Sequence, residues 1–434
     1  MSEPESRPVS PAPQVSTASM VIAAFSTIVE WYDFTLYLYF ATVLSRLFFG
    51  DGQAALLTTL GGFAIAYLAR PFGAILFGHI GDRRGRRRMM LGSMALMSLA
   101  MLLTALLPTR ASVGPLAGVL LLALRCVMGF SVGGEYTGVV AYLVEGAPAH
   151  RRGLIASLAA ASSEVGGLLA VGLSAATIAL TSEATLAAGA WRIPFLFGAA
   201  LAAAVLVARA TLDESPDFVR QQAQGTVPAH PLRHSLTHHR AGIARGFAIS
   251  ALGSITYYVG ITYVPTFLTS AGKLGEGAAL WLSTAAAVMV IAVTPFVGLA
   301  SDRLGRKPIL IALALLSAAL PLLLFSLMAS GSAPHALLGA LALAAVAGGV
   351  SAVGAVATAE QFPGEGRLSG LAFGATAATA IFGGLTPWLA QLLIARTGWP
   401  LVPGAMIAIV ALAVLPVLLT LPETAPRFRP QPKL

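Results

Sequence analysis

Apolar residues run in long blocks along this chain, separated by short breaks that are basic or rich in Pro and Gly. A helix crossing a bilayer needs about 20 mainly apolar residues. Cutting the blocks at their breaks predicts twelve spans: 20–49, 54–81, 88–108, 113–143, 151–181, 190–211, 241–270, 277–301, 307–330, 334–360, 366–396 and 399–421. Several exceed the minimum, so tilt or extension beyond the bilayer is expected. Gly and Pro inside many spans fit membrane helices, whose neighbours satisfy the freed backbone. A transmembrane barrel would instead alternate in polarity over segments of about 10 residues. The longest polar interval, 212–240, divides the spans six and six.

Composition sharpens this picture. Of 434 residues, 57% are hydrophobic and 10% charged. A soluble chain carries about 25% charged residues, so a soluble enzyme is excluded. The net charge of +9 would suggest nucleic acid in a soluble protein, but its placement gives another reason. Of 27 Lys and Arg, about 20 lie in the N-terminal tail, the even-numbered breaks and the C-terminal tail. Arg46, Arg110, Arg192, Lys273 and Arg396 lie in odd-numbered breaks, and Arg70 and Arg125 lie inside apolar blocks. This asymmetry predicts an inner-membrane protein with both termini in the cytoplasm, and no nucleic-acid partner. Residues 1–19 read as a disordered cytoplasmic tail, 20–211 and 241–421 as two six-helix lobes, 212–240 as a solvated linker and 422–434 as a second tail. The lone Cys126 allows no intramolecular disulfide, and the linker histidines (His230, His234, His238, His239) lack a repeated ligand spacing. No metal site, cofactor or catalytic residue is expected, and the chain reads as a monomer.

An internal repeat supports the division. Gly78, Asp82, Arg83, Gly85 and Arg86 after span two recur as Gly298, Asp302, Arg303, Gly305 and Arg306 after span eight. A weaker echo links Leu212-Asp213-Glu214-Ser215-Pro216 to Leu421-Pro422-Glu423-Thr424-Ala425. Duplicated halves predict a two-lobed transporter with a site between the lobes. Asp in such a loop can accept from helix N-terminal amides, and the Arg cluster suits an anionic cytoplasmic surface.

On these residues the chain resembles the major facilitator superfamily over nearly its whole length. The two loops resemble its cytoplasmic gating motif, which makes Asp82, Arg86, Asp302 and Arg306 gating candidates. Arg125-Cys126-Val127-Met128-Gly129 through Gly133-Gly134-Glu135 resembles its fourth-helix motif, and implies a role for Arg125 in proton coupling. Glu30-Trp31-Tyr32-Asp33-Phe34, Arg70-Pro71-Phe72-Gly73, Trp191-Arg192-Ile193-Pro194-Phe195 and Phe382-Gly383-Gly384-Leu385-Thr386-Pro387 resemble the metabolite:proton symporters. The last segment is most similar to the citrate/tricarballylate branch, whereas Trp31-Tyr32 is similar to the betaine and 2-oxoglutarate branches. The resemblance implies alternating access by rocking lobes.

Ionisable groups inside a bilayer cost about +2.5–3.5 kcal/mol each. Six lie well inside the predicted spans: Glu30, Asp33, Arg70, Arg125, Glu135 and Glu164. Acids outnumber bases, so protonation, a coupling cation or a cationic substrate group must balance two of them. Glu30, Asp33 and Tyr37 share one face of span one. Asp33 lies about 20 Å along it, near the midplane, and Arg125 lies at similar depth in span four. The two form a proton-coupling pair, or a purely structural one. Glu30 and Glu135 are further proton-coupling candidates, and Glu135 is expected to pair with Arg70. Arg70, Arg125, Tyr37, Glu164, Tyr257 and Tyr258 are candidates to bind substrate, the tyrosines through OH or cation–π contact. The second lobe carries no mid-membrane charge. Span five lacks the proline expected of efflux antiporters. The expected function is proton-coupled import of a small organic acid such as citrate or 2-oxoglutarate. The alternatives are a zwitterion such as proline or betaine, or less favourably efflux. Nothing in these residues separates protons from sodium.

Overall fold

The computed structural model describes residues 15–428. The predicted tails at 1–14 and 429–434 lie outside the described residues. Among those described, nine helices are long and apolar enough to cross a membrane: Ala54–Arg84, Arg86–Leu106, Leu116–Gly146, Ala149–Leu180, Glu183–Arg209, Gly277–Leu304, Ala333–Ala359, Arg367–Thr397 and Val402–Leu419. Two bent pairs raise the number to eleven: Arg240–Thr262 with Val264–Ser270, and Arg306–Ala319 with Pro321–Ala329. These are spans two to twelve in chain order.

The first apolar block is the exception. It divides into Thr17–Phe25, Thr27–Tyr39, Ala41–Leu44 and Ser45–Phe49, each shorter than a full crossing. The break after Phe25 has a local cause. Ser26 Oγ donates to the Ala23 carbonyl, and Thr27 Oγ1 to the carbonyls of Ala24 and Ala159. Hydroxyls that bond back into the preceding turn bend helices. We call the whole run span one.

Each half has its own apolar core. One cluster is built only from residues of spans one to six, around Tyr32, Phe40, Trp191 and Phe195. Two others come only from spans seven to twelve and the short segment that follows them. A further cluster joins the halves, packing Ala23, Tyr142 and Ala156 with Phe362, Leu368 and Leu371. It lies at the end that carries the repeated arginine loops, hereafter the basic face. Span five packs along span eight, and span two against span eleven.

Within the first half, span four lies close against span two. A Cβ on Gly129 would meet the carbonyl of Ala66, and one on Gly133 the carbonyl of Arg70. Small residues permit such backbone approach in membranes. Gly133→Ala is therefore expected to lower stability by about 1–3 kcal/mol, read as a lower Tm of the purified protein. An unchanged Tm would show that the helices separate without cost.

The 212–240 interval docks by part of its surface, while most of its residues stay exposed or half-buried. It forms helices Pro216–Gln224 and Pro231–His238, which bury Phe218, Gln221, Pro231 and Ser235. Ser235 Oγ donates to the Gly366 carbonyl. The first described residues are tied to the same interval. Ser16, by side chain and amide, and Ser19 hydrogen-bond Asp213 and hold its carboxyl below the usual range.

Candidate functional site

A cavity of ≈ 180 Å³ lies between the halves. One water needs only about 10–15 Å³ of such space, so this room suits a small molecule. Spans one, two, four and five contribute Glu30 and Trp31, Arg70, Tyr136 and Glu164. Span seven contributes Tyr257 and Tyr258, and most other lining groups are small, apolar or hydroxyl-bearing. Among the described residues, Glu30, Arg70 and Glu164 are its only charged lining.

These groups are held in place. The Arg70 guanidinium lies over the rings of Tyr67 (4.2 Å) and Phe34 (4.9 Å), and its Nη1 sits 3.6 Å from Glu30 Oε1. Such stacking adds to the attraction when the cation is desolvated. Tyr67 Oη donates to Tyr258 Oη at 2.7 Å, and Tyr257 Oη to Glu164 Oε1 at 2.5 Å. Both bonds cross between the halves. Trp31 packs edge-on against Tyr257 (5.1 Å), and its buried Nε1 has no hydrogen-bond partner among the described groups. A ligand acceptor would satisfy that donor.

Asp33 and Arg125 do not reach this cavity. They line a second one of ≈ 20 Å³ with Tyr37, Glu30 and Arg70. Arg125 Nη1 bonds Asp33 Oδ2 at 2.8 Å, and Nη2 donates to Asp33 Oδ1 (3.4 Å) and Thr104 Oγ1 (3.2 Å). Tyr37 is placed away from the substrate-sized cavity. Its hydroxyl donates to the Thr59 carbonyl and its ring lies 4.9 Å from the Arg125 guanidinium. Of the residues expected to bind substrate, Arg70, Glu164, Tyr257 and Tyr258 line the large cavity, whereas Arg125 and Tyr37 do not.

The expected Arg70–Glu135 pair does not form. Arg70 faces Glu30, and Glu135 is bound by Arg209 of span six, with Ser93 Oγ donating at 2.7 Å. Arg209 also bonds Ser26 and the Met90 carbonyl, and is fully buried. Sequence reasoning missed it because it stands two residues inside a predicted span edge. The unbroken apolar run before it was the available signal. With Arg209 included, three of the four intramembrane carboxylates have an arginine. Glu164 has a tyrosine instead.

At the basic face the repeat becomes geometry. Gly85 and Gly305 both have φ +103°, a left-handed backbone that favours glycine, and each caps the next helix. Glu214 accepts from the Arg86 amide at 2.8 Å, and Glu423 from the Arg306 amide at 2.9 Å. The weaker sequence echo thus marks two matching helix caps. Asp82 accepts from the amides of Leu368 and Ser369, and Asp302 from those of Gly153 and Leu154. Each aspartate clamps a helix start in the opposite half. Arg86 binds Asp82 and Glu145, and Arg306 binds Asp302 and Glu360. One side carries more: Arg367 adds bonds to Glu145 (2.7 Å) and to Asp217 of the linker helix (3.1 Å). This face is closed.

Two helical halves around a largely apolar cavity that holds a few charged groups, clamped at one face by paired loops, have the architecture of a secondary transporter. Residues 19–230 match the family "Sugar (and other) transporter", and residues 273–433 match "Major Facilitator Superfamily". The chain is 32% identical to the ectoine/proline transporter ProP of Corynebacterium glutamicum, covering 87% of this chain and 78% of that one. It is also 32% identical to the alpha-ketoglutarate permease of Escherichia coli, covering 86% and 87%. Its fold matches the proton:xylose symporter XylE with a TM-score of 0.76 at 21% identity, covering 94% and 96%. The chain belongs to the major facilitator superfamily, among its metabolite:proton symporters. The families and fold it matches are those of transporters, not enzymes.

Proposed function

We propose that the protein is a proton-coupled symporter of the inner membrane that imports a small zwitterion, a carboxylate joined to an ammonium or quaternary ammonium group. The supporting observation is the charge inside the large cavity, which is one arginine against two carboxylates. Sequence reasoning counted Arg125 toward an anionic substrate, but Arg125 lies outside this cavity. A di- or tricarboxylate would add negative charge beside Glu30 and Glu164, at a cost that rises in a low dielectric. A zwitterion fits the set as it stands. Its carboxylate meets Arg70 and the Trp31 N–H, and its cation meets Glu164 and the faces of Trp31, Tyr257 and Tyr258. The ectoine/proline relative favours this reading. The alpha-ketoglutarate relative supports a second one, in which Glu30 and Glu164 are protonated when a dicarboxylate binds.

Both readings take the basic face as cytoplasmic, with Asp33 and Arg125 as the proton-linked pair and the clamps at Asp82/Arg86 and Asp302/Arg306 as its gate. Uptake of proline, betaine, 2-oxoglutarate and citrate into proteoliposomes under an inward proton gradient separates the substrates. For a zwitterion, Glu164→Gln should raise KM about 10- to 100-fold, the value of a charged hydrogen bond of about 1.5–3 kcal/mol. For a dicarboxylate the same change should leave KM unchanged or lower it. Accumulation of citrate or 2-oxoglutarate, with KM insensitive to Glu164→Gln, would overturn the zwitterion reading.

A further inference from the structure

The large cavity and the Asp33–Arg125 pair are separate spaces, and this poses a question of connection. A proton held on Asp33 can act on the substrate by biasing the conformation of the halves, or more directly by passing between the two spaces. Two ionisable residues line both cavities, Glu30 and Arg70. Glu30 stands one helical turn from Asp33 on Thr27–Tyr39, and both side chains are buried.

Three buried polar atoms around the small cavity have no hydrogen-bond partner among the described groups: Glu30 Oε2, Arg70 Nε and Arg125 Nε. Each such group costs about 1–3 kcal/mol if it stays unmet, and buried groups of this kind are ordinarily bridged by water. The small cavity, at ≈ 20 Å³, exceeds the roughly 10–15 Å³ one water requires. It offers a carboxylate acceptor and guanidinium donors, within the two to four partners a buried water takes.

We propose that this cavity is a structural water site and that its water connects two carboxylates of different duty. Asp33 is the sealed proton acceptor, and Glu30 relays the proton to the substrate cavity. This rests on the proton-symport reading above. In the transfer, the Asp33 O–H bond breaks as its proton passes to the water. The water gives another proton to the Glu30 carboxylate, where a new O–H bond forms. Asp33 is left ionised opposite Arg125. Neutral Glu30 then loosens its hold on Arg70, which becomes free to take a substrate carboxylate. The groups that surround Glu30 and share its field are Arg70 and Tyr67 of span two, Glu135 and Tyr136 of span four, Arg209 of span six and Tyr258 of span seven.

The test uses the full chain in proteoliposomes, with whichever of proline, betaine, 2-oxoglutarate and citrate the wild type accumulates. Asp33→Asn, Glu30→Gln and the cavity-filling Ala66→Val are compared for gradient-driven accumulation and for exchange without a gradient. Met128→Phe replaces Ala66→Val if that variant does not fold. Loss of accumulation with exchange retained in all three supports the water relay, and the filling variant carries the most weight because it keeps every ionisable group. Loss in Asp33→Asn alone overturns the relay and leaves proton symport standing. Accumulation retained in Asp33→Asn and abolished by a protonophore removes Asp33 from the coupling role and overturns the relay, whereas wild-type accumulation that a protonophore leaves intact sinks the underlying symport assignment. A second readout needs no substrate: the infrared carboxyl band absent from Glu30→Gln should titrate at a different pH in Asp33→Asn and in Ala66→Val. A band unmoved in both would also overturn the relay.

Discussion

Asp33→Asn should reduce concentrative uptake to simple equilibration. A proton gradient of two pH units can drive about a 100-fold substrate ratio when one proton accompanies each substrate, because each unit is worth about 1.36 kcal/mol. The variant ratio should fall to about one, while exchange of internal for external substrate continues. The reason lies in the pair itself. Asp33 is 1% exposed and meets Arg125 through both guanidinium nitrogens of one edge. Asparagine has nearly the same shape but cannot take up and release a proton, so it imitates the protonated state throughout the cycle. Arg125 retains Thr104 and the ring of Tyr37, which should hold the fold while the coupling is lost. Arg125→Lys should behave differently. It keeps the charge but loses the planar fork, so accumulation should persist at a reduced rate. Concentrative uptake by Asp33→Asn, abolished by a protonophore, would remove Asp33 from the coupling role.

The sequence was informative where the bilayer imposes simple rules. Length and apolarity located spans two to twelve, most edges to within a few residues, because a missing water shell leaves helices few alternatives, but they did not show that the first block breaks into four short helices. The Gly-Asp-Arg-Gly-Arg repeat and even its faint companion at Glu214 and Glu423 were readable, because a duplicated loop repeats its caps. Partner choice was not. Depth along a helix placed Arg70 and Glu135 at one level, but level is only one coordinate. Rotation about the axis turned Arg70 toward Glu30 and Glu135 toward span six. Arg209 escaped notice because hydropathy cannot distinguish a span end in water from one under a neighbouring helix. Nor does depth show that Arg125 and Tyr37 are walled off from the large cavity by Glu30, Arg70 and Val132, which line both spaces.

Glu145→Gln should open the basic face more than the equivalent change on the other side, Glu360→Gln. Glu145 holds Arg86 by two bonds, Nε at 3.0 Å and Nη2 at 2.9 Å, and also Arg367 from the opposite half. Glu360 holds only Arg306, at 3.3 Å, with help from Thr424. Removing one partner of a buried ion pair costs about 3–5 kcal/mol because a charge is left uncompensated. At Glu145 two arginines are affected, although Asp82 and Asp217 still offset part of the loss. Even about 1.4 kcal/mol of net loss shifts a two-state equilibrium tenfold. The closed-face state would then be depleted, and it is the state whose cavity must receive substrate from the opposite side. A single cysteine at Thr358 in the cavity wall, on a Cys126→Ser background, reports this directly. Its modification by a membrane-impermeant thiol reagent from the basic face should rise at least about tenfold in Glu145→Gln, with a smaller rise in Glu360→Gln and a parallel fall in uptake. Equal labelling in the two variants would mean that the extra bonds of Arg367 do not bias the gate, and that the two clamps are energetically equivalent despite their different partners.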